Sequence, residues 1–179
     1  MREVLRLFVQ IALLRRGPQD LPASLWLLVP SVLLYIALNV LLGALLPLNR
    51  PGHAAPSGSW AALLLDTLFT YVWYAVLLRL AGRPERTLQT TTAVFGLLIV
   101  LTPLLFLSGW LWSRLAEDAV WGAPLTLFGV VLLVWLVAAN ARILKAALEW
   151  SGSVCVALVI LQIVVAELLR RALFALPEG

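Results

Sequence analysis

Among the polar side chains capable of chemistry inside otherwise apolar stretches of this sequence are Asn39, Asp66, Gln162 and Glu167, with Arg170 and Arg171 one turn beyond the last. Two carboxylates, two amides and two guanidiniums could hold an ion, relay a proton or form ion pairs, provided that separate segments bring them to one place. With each apolar stretch a helix, Asn39, Asp66 and Glu167 lie about 4–8 Å to one side of their segment midpoints at 1.5 Å per residue, and Gln162 lies close to a midpoint. Three helices thus offer polar groups in one slab. A charge there is costly, about 2.5–3.5 kcal/mol for an aspartate at a span's centre on the insertion scale, so it faces a bundle interior, a partner or a water-filled cavity. Three arrangements meet that demand. Arg170 or Arg171 reaches Asp66 or Glu167 and closes the bundle as an ion pair, helped by the i,i+3 and i,i+4 spacing from Glu167; the slab lines a polar pathway; or it contacts another membrane subunit.

A second polar group, Arg79, Arg83, Arg86, Arg142 and Lys145, falls at the opposite ends of these segments. Guanidinium forks match phosphate oxygens, and such a cluster at a membrane interface attracts anionic lipid head groups. Thr87, Thr90, Thr91 and Thr92 follow directly. They either join Arg83 and Arg86 around a phosphate, or they cap a helix and, with Thr92 and Gly96 as a small-xxx-small pair, let neighbouring helices approach.

The rest of the inventory argues against an enzyme. His53 is the only histidine and sits in a proline-rich stretch, so neither a multi-histidine metal site nor a histidine-assisted nucleophile can be assembled in the membrane. Cys155, the only cysteine, has no charged neighbour in sequence to lower its pKa. Ser108-Gly109 and Ser151-Gly152-Ser153 lack a base and read as helix punctuation. No catalytic residue, metal or cofactor is expected.

The elements that must position these groups are membrane spans. The 179 residues are 63% hydrophobic and 12% charged, with a mean hydropathy of +1.00, far outside soluble averages. The expected fold is all-α, a single domain of five transmembrane helices at about 23–46, 60–80, 87–112, 121–145 and 153–176, each long enough to cross a bilayer. Pro47, Pro51 and Pro56 separate the first two, and Gly82 with Pro84 separates the next pair. Ser113 to Val120 reads as a short connection. Gly152 is placed to end the fourth helix and Ser153 to cap the fifth, while Pro103 is expected to kink the third. Ahead of the spans, Arg2, Arg6 and Gln10 recur every four residues and Leu5, Phe8, Val9 and Ala12 fall mostly elsewhere around the helix. That pattern fits an amphipathic helix over 1–20 lying on the cytoplasmic membrane surface, or a first turn packed against the bundle.

Net charge is +4 with a pI near 10.0, yet the basic residues are scattered between spans, which points to topology and away from nucleic acid. With the amino terminus inside, one side receives Arg2, Arg6, Arg15, Arg16, Arg79, Arg83, Arg86, Arg142 and Lys145, and the other only Arg50, Arg114, Arg170 and Arg171. The positive-inside rule then places the amino terminus in the cytoplasm and the carboxyl terminus in the periplasm. Trp60, Trp110, Trp112 and Trp121 fall at outer ends and Trp26 and Trp150 at inner ends, as interfacial indoles do, whereas Trp73 and Trp135 are expected between helices. The Leu/Ala/Arg-rich composition suggests a bacterial inner membrane.

Five spans with the amino terminus inside, a basic, threonine-containing stretch at Arg83–Thr92, a third span through Thr102-Pro103 and a fourth with Trp135 leading to Ala138–Ala147 resemble bacterial members of the Yip family. These are membrane proteins named for interaction with Ypt-type small GTPases. The resemblance covers roughly residues 20–170. Asp20-Leu21-Pro22 matches only part of the family's DLxGP motif, and Phe95-Gly96 replaces the tyrosine-glycine pair of eukaryotic members. What the resemblance implies is a non-enzymatic role in membrane organisation or partner assembly, with no active site to carry over. The expected function is therefore a scaffold or accessory subunit that binds another membrane protein or a second copy, in a bilayer containing anionic lipids. The alternative is a small transporter, channel or lipid-handling protein using the polar slab.

Overall fold

The computed structural model describes residues 8–10, 12, 19, 21–46, 60–115 and 120–174. Five helices carry the described chain, and no strand occurs among the described residues: α1 Leu25–Leu45, α2 Trp60–Leu80, α3 Thr87–Leu115, α4 Gly122–Leu148 and α5 Gly152–Phe174. All five are long and apolar enough to cross a membrane, and the protein is an all-α integral membrane protein. Each begins and ends within one turn of the expected span. Helix α3 continues through Ser113 and Arg114, where the guanidinium lies over the Trp110 ring, 5.6 Å from its centroid. The proline-rich stretch 47–59 with His53, the acidic pair Glu117 and Asp118, and Arg2, Arg6, Arg15 and Arg16 lie outside the described residues.

The turns at one end set where the basic residues go. Gly82, at φ 71°, ends α2 in a Schellman motif in which the Arg83 amide donates to the Leu78 carbonyl at 2.8 Å and the Gly82 amide to that of Arg79 at 3.0 Å. A single 3-10 turn, Pro84–Arg86, leads into α3. The end of α4 corrects the sequence reading: Glu149, at φ 59°, takes the left-handed capping position, and Gly152 instead begins α5. A side chain in that conformation costs on the order of 1 kcal/mol, so Glu149 needs a compensating contact.

Helix α3 is the centre of the bundle and packs on α1, α2 and α4, while α5 closes against α4 and α2. Its stretch Thr90 to Leu97 is buried throughout. Most of the core sits towards the end that carries Arg79, Arg83, Arg86, Arg142 and Lys145, called the basic end below. There Tyr74 and Leu78 of α2 meet Ala139 to Leu148 of α4 and Cys155 and Val159 of α5. In the other half, towards the far end, fewer side chains are enclosed, chiefly Thr67, Ser108, Leu125 and Leu132. Trp26, Trp60, Trp112, Trp121 and Trp150 are exposed at helix ends, whereas Trp73 and Trp135 pack on the core.

Of the surface helix expected over 1–20, only Phe8, Val9, Gln10, Ala12 and Gln19 are described, and two of them lie inside the bundle. Phe8 and Ala12 are buried. The Trp135 indole donates to the Ala12 carbonyl at 2.8 Å, and Trp135 stands midway along the 27-residue α4, so Ala12 lies level with the middle of that helix. Phe8 lies on Gly96: an ideal Cβ there would come within 2.6 Å of Phe8 Cε1 and 2.7 Å of its Cγ, closer than real Cβ atoms approach anything. At the basic end the Gln89 amide donates to the Leu21 carbonyl at 3.0 Å. The packed alternative thus describes Phe8 and Ala12. Gly96 leaves room for the Phe8 ring, where the sequence reading expected a neighbouring helix.

Candidate functional site

At the basic end, the Gly82 turn aims two arginines at the α4–α5 connection. Arg83 grips the Glu149 carboxylate as a fork, Nη1 to Oε1 at 2.5 Å and Nη2 to Oε2 at 2.6 Å. Arg86 Nη1 donates to Oε1 at 2.9 Å and to the carbonyls of Ala146 and Ala147 at 3.3 and 3.2 Å. The clasp therefore satisfies the orphan carbonyls at the end of α4 and holds Glu149 in its left-handed conformation. The threonines that follow do not join it. Thr91 and Thr92 donate to the carbonyls of Thr87 and Leu88 at 2.7 Å each, and Thr90 is enclosed, its hydroxyl without a partner among the described residues. Thr90, Thr91 and Thr92 are buried and the last two bond back within their own helix, so these three neither join a phosphate site nor cap the helix as the sequence reading offered. Arg79, Arg142 and Lys145 are exposed and take part in none of the ion pairs among the described residues.

Hydrogen bonds from Arg83, then Arg86, hold the Glu149 carboxyl down at about 2, against its ordinary 4.5. A depressed carboxylate stabilises the fold fully above the ordinary value and loses that contribution as pH falls through the depressed one. Thermal unfolding of the wild type and of Glu149→Gln should therefore differ at neutral pH and converge between about pH 4.5 and 2. A difference that persists unchanged at pH 2 would remove the clasp as its source.

Towards the far end, α1, α2 and α5 carry the slab, with Asp66 of α2 as the group in reach of both other helices. Asn39 follows the core-packed Tyr35 by one turn and donates through Nδ2 to its carbonyl at 2.8 Å. Asp66 precedes Trp73 and Leu77 on a face that packs on the core, and it lies within electrostatic reach of Tyr35, Glu167 and Arg170. Gln162 follows the buried Cys155 and Val159 at helical spacing. Glu167 receives both arginines of its own helix, Arg170 through Nη2 and Arg171 through Nε, the latter at 2.8 Å. The ion pairs thus form within α5, where i,i+3 and i,i+4 spacing makes them local. Asp66 belongs to none of the ion pairs among the described residues.

Although these groups share faces with core residues, they are not enclosed. Asn39, Asp66 and Gln162 are partly exposed, and the side chains of Glu167 and Arg170 retain 36% and 43% exposure. On the Asp66 face, two turns nearer the basic end, the Trp73 indole N–H is buried without an acceptor among the described residues. The arrangement is a polar seam of partly exposed groups, and nearer the basic end Phe95, Tyr74 and Leu97 are fully buried. Sequence reasoning missed Tyr35, whose ring packs on Phe95 with centroids 5.6 Å apart, because a tyrosine in an apolar run carries no signal of its own. It also missed Glu149, whose signal was a carboxylate beside the only break between two spans.

A shallow groove of about 480 Å³ lies elsewhere, between Trp112 of α3 and Gly122, Ala123, Thr126, Leu127 and Val130 of α4. It contains no charged residue and is separate from the seam. Among the described residues, no three His, Cys, Asp or Glu side chains come together as metal ligands would. Comparisons with protein-family models, with curated proteins and with solved structures each give no match.

Proposed function

We propose that this integral membrane protein is non-enzymatic and takes a small polar or ionic ligand into the seam between α1, α2 and α5. This is the transport or lipid-handling reading of the slab. One observation carries it: Asn39, Asp66, Gln162 and Arg170 share faces with core residues yet remain partly exposed, a combination expected of groups lining a water-filled space. With the arginine count setting orientation, the seam opens to the periplasm of a bacterial inner membrane and the basic end faces the cytoplasm. An accessory-subunit role is the competing occupancy of the same seam, with a partner's helix in place of water and ligand.

Cysteine accessibility separates the two. In a Cys155→Ala background, single cysteines at Asn39, Asp66 and Gln162 should react with a membrane-impermeant thiol reagent added from the far side. Cysteines at the lipid-facing Leu64 and Leu168 should not, since the thiolate that reacts forms in water. Equal silence at all five positions in native membranes would sink the crevice. Silence that turns to labelling of the seam positions alone after mild detergent extraction would point to a displaced partner.

A further inference from the structure

We infer that Arg83 and Arg86 form a site for the phosphate of an anionic lipid at the basic end, and that Glu149 occupies this site as an intramolecular competitor. The geometry is that of anion recognition. Two guanidiniums on one tight turn converge on a single carboxylate, one of them as a two-pronged fork, and a phosphate presents the same planar pair of oxygens to such a fork. Glu149 is a replaceable occupant, because its side chain is 53% exposed and its backbone is held in a left-handed conformation that a side chain rarely adopts. Release of the carboxylate frees the fork of Arg83, while Arg86 keeps its two bonds to the carbonyls of α4 and loses only the one to Glu149.

The surroundings select a lipid over a soluble phosphate. Leu80, just before the Gly82 turn, is 78% exposed, and Trp150, next to Glu149, is 41% exposed. The clasp is thus flanked by an aliphatic side chain that belongs in acyl chains and by an indole suited to the headgroup level. Arg79, Arg142 and Lys145 add unpaired positive charge at the same end, which concentrates anionic lipid there. Headgroup phosphate and the Glu149 carboxylate then exclude each other, so the contact between the α2–α3 and α4–α5 turns depends on the lipid composition of that leaflet.

The test uses the full-length protein in nanodiscs, with retention of phosphatidylglycerol and of phosphatidylcholine read by native mass spectrometry. Glu149→Gln should raise phosphatidylglycerol retention roughly five-fold, as expected for one competing charge at a membrane surface, and leave phosphatidylcholine unchanged. Glu149→Gly, which removes the carboxylate and suits the left-handed backbone, should do the same and serves where the glutamine variant folds poorly. Adding Arg83→Gln and Arg86→Gln should abolish the gain in either background. Retention that is unchanged or lower in both Glu149 variants overturns the inference. So does displacement of the lipid by millimolar inorganic phosphate, which would identify a site for a soluble anion instead.

Discussion

Truncating Tyr74 to alanine should lower the unfolding free energy of the purified protein by about 3–5 kcal/mol, the range for deleting a buried aromatic side chain. Tyr74 is fully enclosed on the face of α2 that meets the core, and its hydroxyl donates to Asn140 Oδ1 on α4 at 3.4 Å. Removing the ring leaves a void at the level where three helices meet, and packing between them is the main source of cohesion inside a bilayer. Tyr74→Phe keeps the ring and removes only a long hydrogen bond, so it should cost about 0.5–1.5 kcal/mol at most. Asn140→Leu should cost more than Tyr74→Phe, about 1–3 kcal/mol, because it strands the buried hydroxyl without an acceptor. Reversible unfolding in mixed micelles measures all three. Alanine and phenylalanine variants of equal stability would show that this end of the bundle is not packed as described.

Gly96→Val should destabilise the protein by about 1–3 kcal/mol, the usual effect of overpacking an enclosed site. The added carbons fall on the Phe8 ring at Cγ as well as Cε1, so a flip of the ring about its own axis does not clear them and the whole ring must move. Coupling provides the sharper check. With Phe8→Ala already present this clash is gone, and the double variant should recover about 0.5–3 kcal/mol relative to the sum of the single losses, as contacting pairs do. Additive losses would place Phe8 elsewhere. A loss of similar size from Trp135→Phe, which removes the donor to the Ala12 carbonyl, would identify the same docked segment from its other side.

The spans were legible because a bilayer leaves helices little alternative: long apolar runs broken by Gly82-Arg83-Pro84 or Ser151-Gly152-Ser153 allow few other readings. Depth was legible too, since rise per residue is fixed, and so Asn39, Asp66 and Glu167 could be assigned to one slab before their neighbours were known. Partner choice was not. Arg170 could equally have reached Asp66 or Glu167 by chemistry, and it takes Glu167, one turn away on its own helix. Phe8 and Ala12 show the same limit in another form. An apolar stripe is the same stripe whether lipid or a glycine-floored groove receives it, and only the position of Gly96 opposite Phe8 decides. Glu149 stayed hidden because glycine is the usual left-handed cap and one stood three residues further on.

The central place of α3 bears on biogenesis. The chain emerges from the ribosome in order, so α1 and α2 meet lipid before the helix they pack around has been made. For α1, with a mean hydropathy of 2.3, the wait is easily tolerated, but α2 has the lowest value of the five, 1.7, and carries Asp66. The arginine within electrostatic reach of that carboxylate, Arg170, is translated more than a hundred residues later. During that interval Asp66 has only water, head groups or the insertion machinery to solvate it. Helix α2 is thus the span whose first residence in the membrane depends most on help from outside the chain.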